Sequence, residues 1–283
     1  MPATPKVAAL RALDAHPGVT VEVMTITPEM AAEMLKHNLV NRTLRRKRVE
    51  LYAKQMRNNT WRLTGETIVF SPDGQLLQGQ HRLTAAAENG LSFDCVVVRG
   101  IVPEAMRVMD TGLSRTAADA FKLEGVSNSP TQAAMCRQLI SVRGGFPMDT
   151  ARQALITRDE LFAFYEANVS ALEFAWHISR AAQGALHFSR AGWGTLAFLA
   201  AEADPDLAAE FFNGLGTGAG LSAGDARLAL RSLIANFQAQ RRTFTWAEQV
   251  ATGIRAWNAW VNGRKVDHIK SWKSVHQWPE LES

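Results

Sequence analysis

The chain has 283 residues, enough for one large domain or two modest ones, with 47% hydrophobic and 20% charged residues. That balance excludes a disordered polymer, and no apolar run approaches the roughly 20 residues that a membrane-spanning helix needs. The formal charge of +4 is small but uneven: between Arg42 and Arg62 eight basic residues face Glu50 alone, the pattern either of a polyanion-facing surface or of solvated helix faces.

The opening residues lack the basic-then-apolar layout of a secretory signal, so a cytoplasmic protein with no membrane partner is expected. From Val21 the run "VEVMTIT" alternates as a short strand does, and Thr27-Pro28 then reads as a helix start with a capping hydroxyl. A second helix is predicted near Arg46 to Asn58. Its apolar stripe is narrow, with Val49, Tyr52, Ala53 and Met56 at spacings of three and four, and basic residues fill the rest.

The period then changes. "ETIVF" and "QLL" flank "SPDG", where Asp73-Gly74 suits a hairpin turn, so these segments read as paired strands. "LTAAAENG" reads as a helix closed by Gly90. "FDCVVVRG" is a continuous apolar run, the pattern of a strand buried on both faces. Helical signals follow at "PEAMRVM" and "TAADAFKLEG".

Small polar residues in "EGVSNSPTQ" suggest a boundary, beyond which only helices are predicted. They include a Thr157/Glu160 capping box, "SALEFAWHISRAAQ", "WGTLAFLAAEAD", "DARLALRSLIANFQAQRR" and "TWAEQVATGIRAWNAWVNG". The glycine cluster from Gly214 to Asp225 lacks the Gly-Lys-Ser/Thr ending of a phosphate loop and reads as a helix-to-helix connection. Cys95 and Cys136 form neither a disulfide framework nor a metal site, and are expected as buried thiols. The expected fold is thus α+β: an α/β unit over about residues 20–125 and an all-helical unit over 126–283.

The stretch "DGQLLQGQHRLTAAAENG" carries the chemistry. Gly79, Gln80, His81 and Arg82 stand where a strand gives way to a helix. A helix start offers unpaired N–H groups and a positive dipole end, glycine allows close approach, arginine can fork onto two oxyanion oxygens, and histidine can shuttle a proton. A phosphate pocket is the expectation, with Arg82→Ala abolishing phosphate binding and leaving the fold intact. Glu66, at the start of the strand before the hairpin, is a candidate base or metal ligand, and Asp110 and Arg115 lie in a polar turn that could add a carboxylate and a second guanidinium. No metal-ligand cluster is evident.

"LLQGQHRLTAAAENG", preceded by "RKRVELYAKQMRNNTWRLTGETIVF", resembles the ParB/sulfiredoxin superfamily, in which a basic helix, a strand and a "GQHR" or "GERR" helix start recur in that order. "MDTGLSRTAADAF" and "AWNAWVNGRKV" also resemble segments of ParB-like phage and actinobacterial proteins. The resemblance implies a ParB/sulfiredoxin-like α/β domain, followed here by the helical one. Its members include nucleotide-hydrolysing DNA clamps, nuclease-type proteins, small-molecule kinases and sulfinic-acid reductases. Gly79, His81 and Arg82 match the phosphate-binding turn. Gln80 stands where sulfiredoxins carry a cysteine and clamp-type ParB proteins a glutamate, which argues against thiol-based reduction.

The leading expectation is a nucleotide- or phosphate-binding protein acting on or with DNA, with hydrolysis or transfer of phosphate, as in a nucleotide hydrolase, nuclease or phosphotransferase, open to it. Its phosphate-binding set is Thr64, Gly79, Gln80, His81, Arg82 and Arg115; its candidate catalytic groups are Glu66, His81 and Asp110; its cofactor would be a nucleotide with Mg2+. Arg45, Arg46, Lys47 and Arg48 are the expected nucleic-acid contacts. The alternatives are a non-catalytic DNA-binding regulatory module, and a small-molecule kinase or DNA-modifying enzyme using the same pocket. Five of the eight tryptophans, at 246, 257, 260, 272 and 278, lie near the carboxyl end among basic residues, where they suit docking onto the protein better than stacking on bases.

Overall fold

The computed structural model describes residues 18–39, 43–107, 116–186, 188–273 and 276–282. It is mixed α+β and mostly helical, with one four-stranded sheet and 12 α-helices among the described residues. The chain divides into two compact units, Met1–Ser114 and Arg115–Ser283.

In the first unit β1 (Thr20–Ile26) leads into α1 (Pro28–Leu35), whose first turn is capped by the Thr27 hydroxyl accepting the Met30 N–H at 3.3 Å. α2 (Arg46–Arg57) turns Val49, Ala53 and Met56 inward. β2 (Thr67–Phe70) and β3 (Leu76–Gln78) pair antiparallel around the Pro72–Gly74 turn, with Gly74 at φ +85°. α3 (Gln80–Asn89) ends at Gly90 in the left-handed region, and β4 (Phe93–Arg99) returns through the sheet.

The strand order is β1-β4-β2-β3, with β4 antiparallel to β1 and parallel to β2. β4 was expected to be buried on both faces. It is central, but Phe93, Cys95 and Val97 are buried while Asp94 is exposed and Val96 and Val98 are half-buried. The reason is a single layer of helices: α1 to α3 supply Ala31, Met34, Val49, Ala53, Met56 and Leu83 to the same core as Ile26, Ile68 and Phe70. Trp61 closes it, edge-on to Tyr52 and Phe93, with its indole N–H on the Asp94 carbonyl at 2.8 Å. The predicted helix at "PEAMRVM" is a 3-10 turn over Pro103–Arg107.

The second unit holds α4 (Ala117–Leu123), α5 (Ser129–Arg143), α6 (Thr150–Gln153), α7 (Arg158–Ala167), α8 (Val169–Ala185), α9 (Arg190–Ala203), α10 (Pro205–Thr217), α11 (Ala226–Ala239) and α12 (Trp246–Val261). The Thr157/Glu160 capping box forms, and Thr116/Asp119 and Thr245/Glu248 repeat it at α4 and α12. The division falls earlier than the expected boundary at 125/126. α4 belongs to the helical unit because Phe121, fully buried, stacks on Phe162 and meets Tyr165 edge-on in that core.

The glycine cluster also differs from its reading as a connection. Gly214 and Gly216 lie inside α10, and a Cβ on Gly216 would collide with Ala181 of α8, so the missing side chain lets the two helices approach. Only from Gly218, at φ +72°, does the chain leave the helix. Both thiols are buried as expected, and burial pushes Cys136 up to about 12.

The carboxyl-terminal segment docks on α12. The Trp257 indole N–H donates to the Glu282 carbonyl at 2.8 Å, Asn258 Nδ2 to the Glu280 carbonyl at 2.7 Å, and the Trp272 N–H to Thr252 Oγ1 at 2.9 Å. Trp257 and Trp272 are buried, so the indoles serve as anchors.

Candidate functional site

The expected pocket lies at the start of α3. Gly79 holds φ +112°, a conformation that side-chain-bearing residues rarely adopt, and a Cβ there would sit 3.0 Å from Ile68 Cγ1. The glycine therefore serves the passage of the chain over β2 as it turns into the helix. Gln80, His81 and Arg82 follow with only 6%, 5% and 4% of their surface exposed.

Each has a protein partner. Gln80 Oε1 accepts from Asn38 Nδ2 at 3.2 Å. His81 Nε2 accepts the backbone N–H of Arg45 at 3.0 Å, which requires that nitrogen to be unprotonated. The Arg82 guanidinium donates from Nη1 to the Glu66 carbonyl at 3.0 Å and from Nη2 to the Thr67 carbonyl at 2.7 Å. Its fork thus closes on the carbonyls at the entry to β2, those of Glu66 and Thr67. Cys95 Sγ lies 3.9 Å from Nη1; burial raises the thiol pKa while the neighbouring guanidinium opposes the rise.

Of the expected site residues, the structure brings Glu66 and Thr64 to this cluster. The exposed Glu66 carboxylate is 3.9 Å from Arg82 Nη1, and the Glu66 N–H donates to Thr64 Oγ1 at 3.3 Å. Asp110 and Arg115 lie outside the described residues. The expectation that Arg82→Ala leaves the fold intact changes, because the substitution removes the partner of two carbonyls at a buried position.

The basic residues split. Arg46 Nη1 donates to both carboxylate oxygens of Glu88 of α3, at 2.8 and 2.7 Å, and Arg57 reaches Asn89 Oδ1 at 3.1 Å, so part of the charge on α2 pins it to α3. The side chains of Arg45, Lys47 and Arg48 have no carboxylate partner among the described residues, and Arg45 and Lys47 are exposed.

Sequence reasoning did not find Asn38 or Glu88. They stand 42 residues from Gln80 and Arg46 respectively, and no local pattern announces such a pairing.

No helix among the described residues is long and apolar enough to cross a membrane, and no group of three or more His, Cys, Asp or Glu among them is arranged to hold a metal ion. As folded, the α3 start does not fit a magnesium-bound triphosphate, because Arg82 is committed to carbonyls and Glu66 is the carboxylate beside it. Compared with models of known families, with curated proteins and with solved structures, the chain matches none.

Proposed function

We propose that this is a ParB-like protein that associates with nucleic acid, and that its first unit grips the phosphate backbone with the residues opening α2. The observation that carries the reading is the contrast within four consecutive basic residues: Arg46 is neutralised by Glu88, whereas Arg45, Lys47 and Arg48 have no carboxylate partner among the described residues. Unpaired cations on one helix turn present a local positive field, and displacement of condensed counterions by such groups supplies sequence-independent affinity. On this reading the Gly79–Arg82 turn is a strut that positions the chain entering α2, through the bond from the Arg45 N–H to His81. The module is non-catalytic.

Fluorescence anisotropy of the full chain with duplex and single-stranded oligonucleotides tests the proposal. Affinity on duplex is expected to fall with salt by a log–log slope of about −0.9 per phosphate neutralised, and Arg45→Ala, Lys47→Ala and Arg48→Ala together should flatten that slope, with Arg46→Ala acting less. Absence of binding at low salt, or a slope unchanged in the triple variant, overturns it.

A second reading, phosphate binding or transfer at the α3 start, is favoured by the reach of Arg82 to one exposed anion, the Glu66 carboxylate at 3.9 Å, whose place a phosphate would take. There an incoming phosphate would have to take Arg82 from its carbonyls. Calorimetric titration with nucleotides, with and without magnesium, decides between the two: saturable, magnesium-independent binding that Glu66→Gln strengthens, by removing the carboxylate that competes for Arg82, supports the second.

A further inference from the structure

A cleft of about 300 Å³ opens in the second unit between α4, α5, α6 and the first residue of α12. Its walls are largely apolar, including Ala117, Pro130, Ala133 and Ala134, and none of its described lining residues is acidic. Three groups that line it are donors in search of an acceptor. Arg137, half-buried, makes one bond, from Nη1 to the Gln153 carbonyl at 2.8 Å, and has no ion-pair partner among the described residues. Gln138 is only 7% exposed; its Oε1 is taken by the Thr195 hydroxyl at 2.8 Å, and its amide N–H groups have no acceptor among the described residues. The indole N–H of Trp246 likewise has none.

A half-buried guanidinium without a counter-ion among the described residues is costly, a bound acceptor relieves it, and the Gln138 amide N–H groups offer a second donor in the same cleft. Burial holds the Arg137 guanidinium below its ordinary pKa. The nearby Asp119 carboxylate is turned to its own helix start, where it accepts from the Thr116 N–H at 2.8 Å and the Thr116 hydroxyl at 2.7 Å. Gln153 spends its amide N–H on the Pro147 carbonyl at 2.7 Å, so it leaves the donor role to the other three.

We propose that this cleft binds a small carboxylic acid with a flat apolar body, the carboxylate accepting from Arg137 and Gln138 and the body resting on the alanines beside Trp246. The charge of the ligand follows from the unpaired guanidinium, and Gln138, which lines the same cleft, supplies the second donor. Its apolar character follows from the walls, and its size from a volume at the lower end of ligand sites, which begin at about 300 Å³.

The test uses the full chain and two pairs of probes: benzoate with benzamide, and indole-3-acetate with indole-3-acetamide. Titration followed by saturation-transfer NMR is expected to give saturable binding of the acids and at least about tenfold weaker binding of the amides, since charge-assisted hydrogen bonds are roughly twice as strong as neutral ones. Arg137→Gln should bring the acid down to the level of its amide. Gln138→Leu should weaken the acid several-fold. If Arg137→Gln fails to fold by circular dichroism, the acid-to-amide ratio on the native chain and the Gln138→Leu variant decide. Equal affinity for acid and amide, unchanged acid binding in a folded Arg137→Gln variant, or no saturable binding of either acid at millimolar concentration overturns the proposal.

Discussion

At the start of α3 the first unit buries an amide, an imidazole and a guanidinium side by side, and each is spent on a segment distant in sequence: Asn38, the Arg45 N–H, and the Glu66 and Thr67 carbonyls. The second unit closes instead around rings. Trp193, Phe211, Phe212 and Trp257 are almost fully buried, and Trp257 meets Phe211 edge-on with centroids 5.5 Å apart. A single helical layer on a four-stranded sheet supplies limited apolar area, so directional bonds from α3 hold its loops. Nine helices among the described residues supply area in abundance, so the polar groups buried there, such as Gln138 bonded to Thr195, are scattered through an apolar core and not gathered at one turn.

The contrast is most easily broken at the rings. Trp257→Ala removes a fully buried indole together with its bond to the Glu282 carbonyl and should cost about 3–5 kcal/mol. Urea denaturation measures it, and a loss below about 1 kcal/mol would mean that area does not dominate the second unit. Deleting the segment after Asn262 should extend the damage, since it uncovers Trp257 and leaves the Asn258 and Thr252 side chains without their partners.

Next in size is Arg82→Ala, which orphans two carbonyls and should cost about 2–3 kcal/mol. Leucine in the same place should restore little, because apolar volume does not satisfy an acceptor. Recovery of stability by Arg82→Leu would erase the distinction between the two units.

A smaller loss, about 1–3 kcal/mol, is expected for Gly79→Ala, from the strain of φ +112° and the contact with Ile68. Hydrogen exchange should place that loss in α3 and β2, with the helical unit unaffected.

The smallest effect concerns a polar cap of the second unit. Asp225 accepts the Arg227 N–H at 2.8 Å and pairs with its guanidinium at 2.8 Å, and the side-chain hydrogen bond from Arg227 is the first cause of its depressed pKa. Because the folded carboxyl is the more acidic, its stabilisation is present above the unfolded value of about 3.9 and is lost as pH falls through the folded one. Asp225→Ala should therefore cost about 1 kcal/mol at neutral pH and progressively less below pH 3.9, read from denaturation curves of both proteins.

The sequence by itself determined the elements. Alternation marked β1, the Asp73-Gly74 turn marked the hairpin strands, Thr27-Pro28 and the Thr157/Glu160 box marked helix starts, and spacing marked the inward residues Val49, Ala53 and Met56. These signals are local, set by side-chain periodicity and by the few residues that cap a helix or turn a chain. It also singled out Gly79 to Arg82 as residues an ordinary helix start does not need. Their partners were decided only by the tertiary structure, because whether a buried guanidinium meets a phosphate or two main-chain carbonyls depends on which strand passes beneath it. The same limit applied to β4, whose apolar run could not reveal that helices cover one face, and to Gly216, whose small size is explained by Ala181 of another helix. It applied also to Arg46 and its neighbours, alike in composition, of which Glu88, 42 residues along the chain, neutralises Arg46.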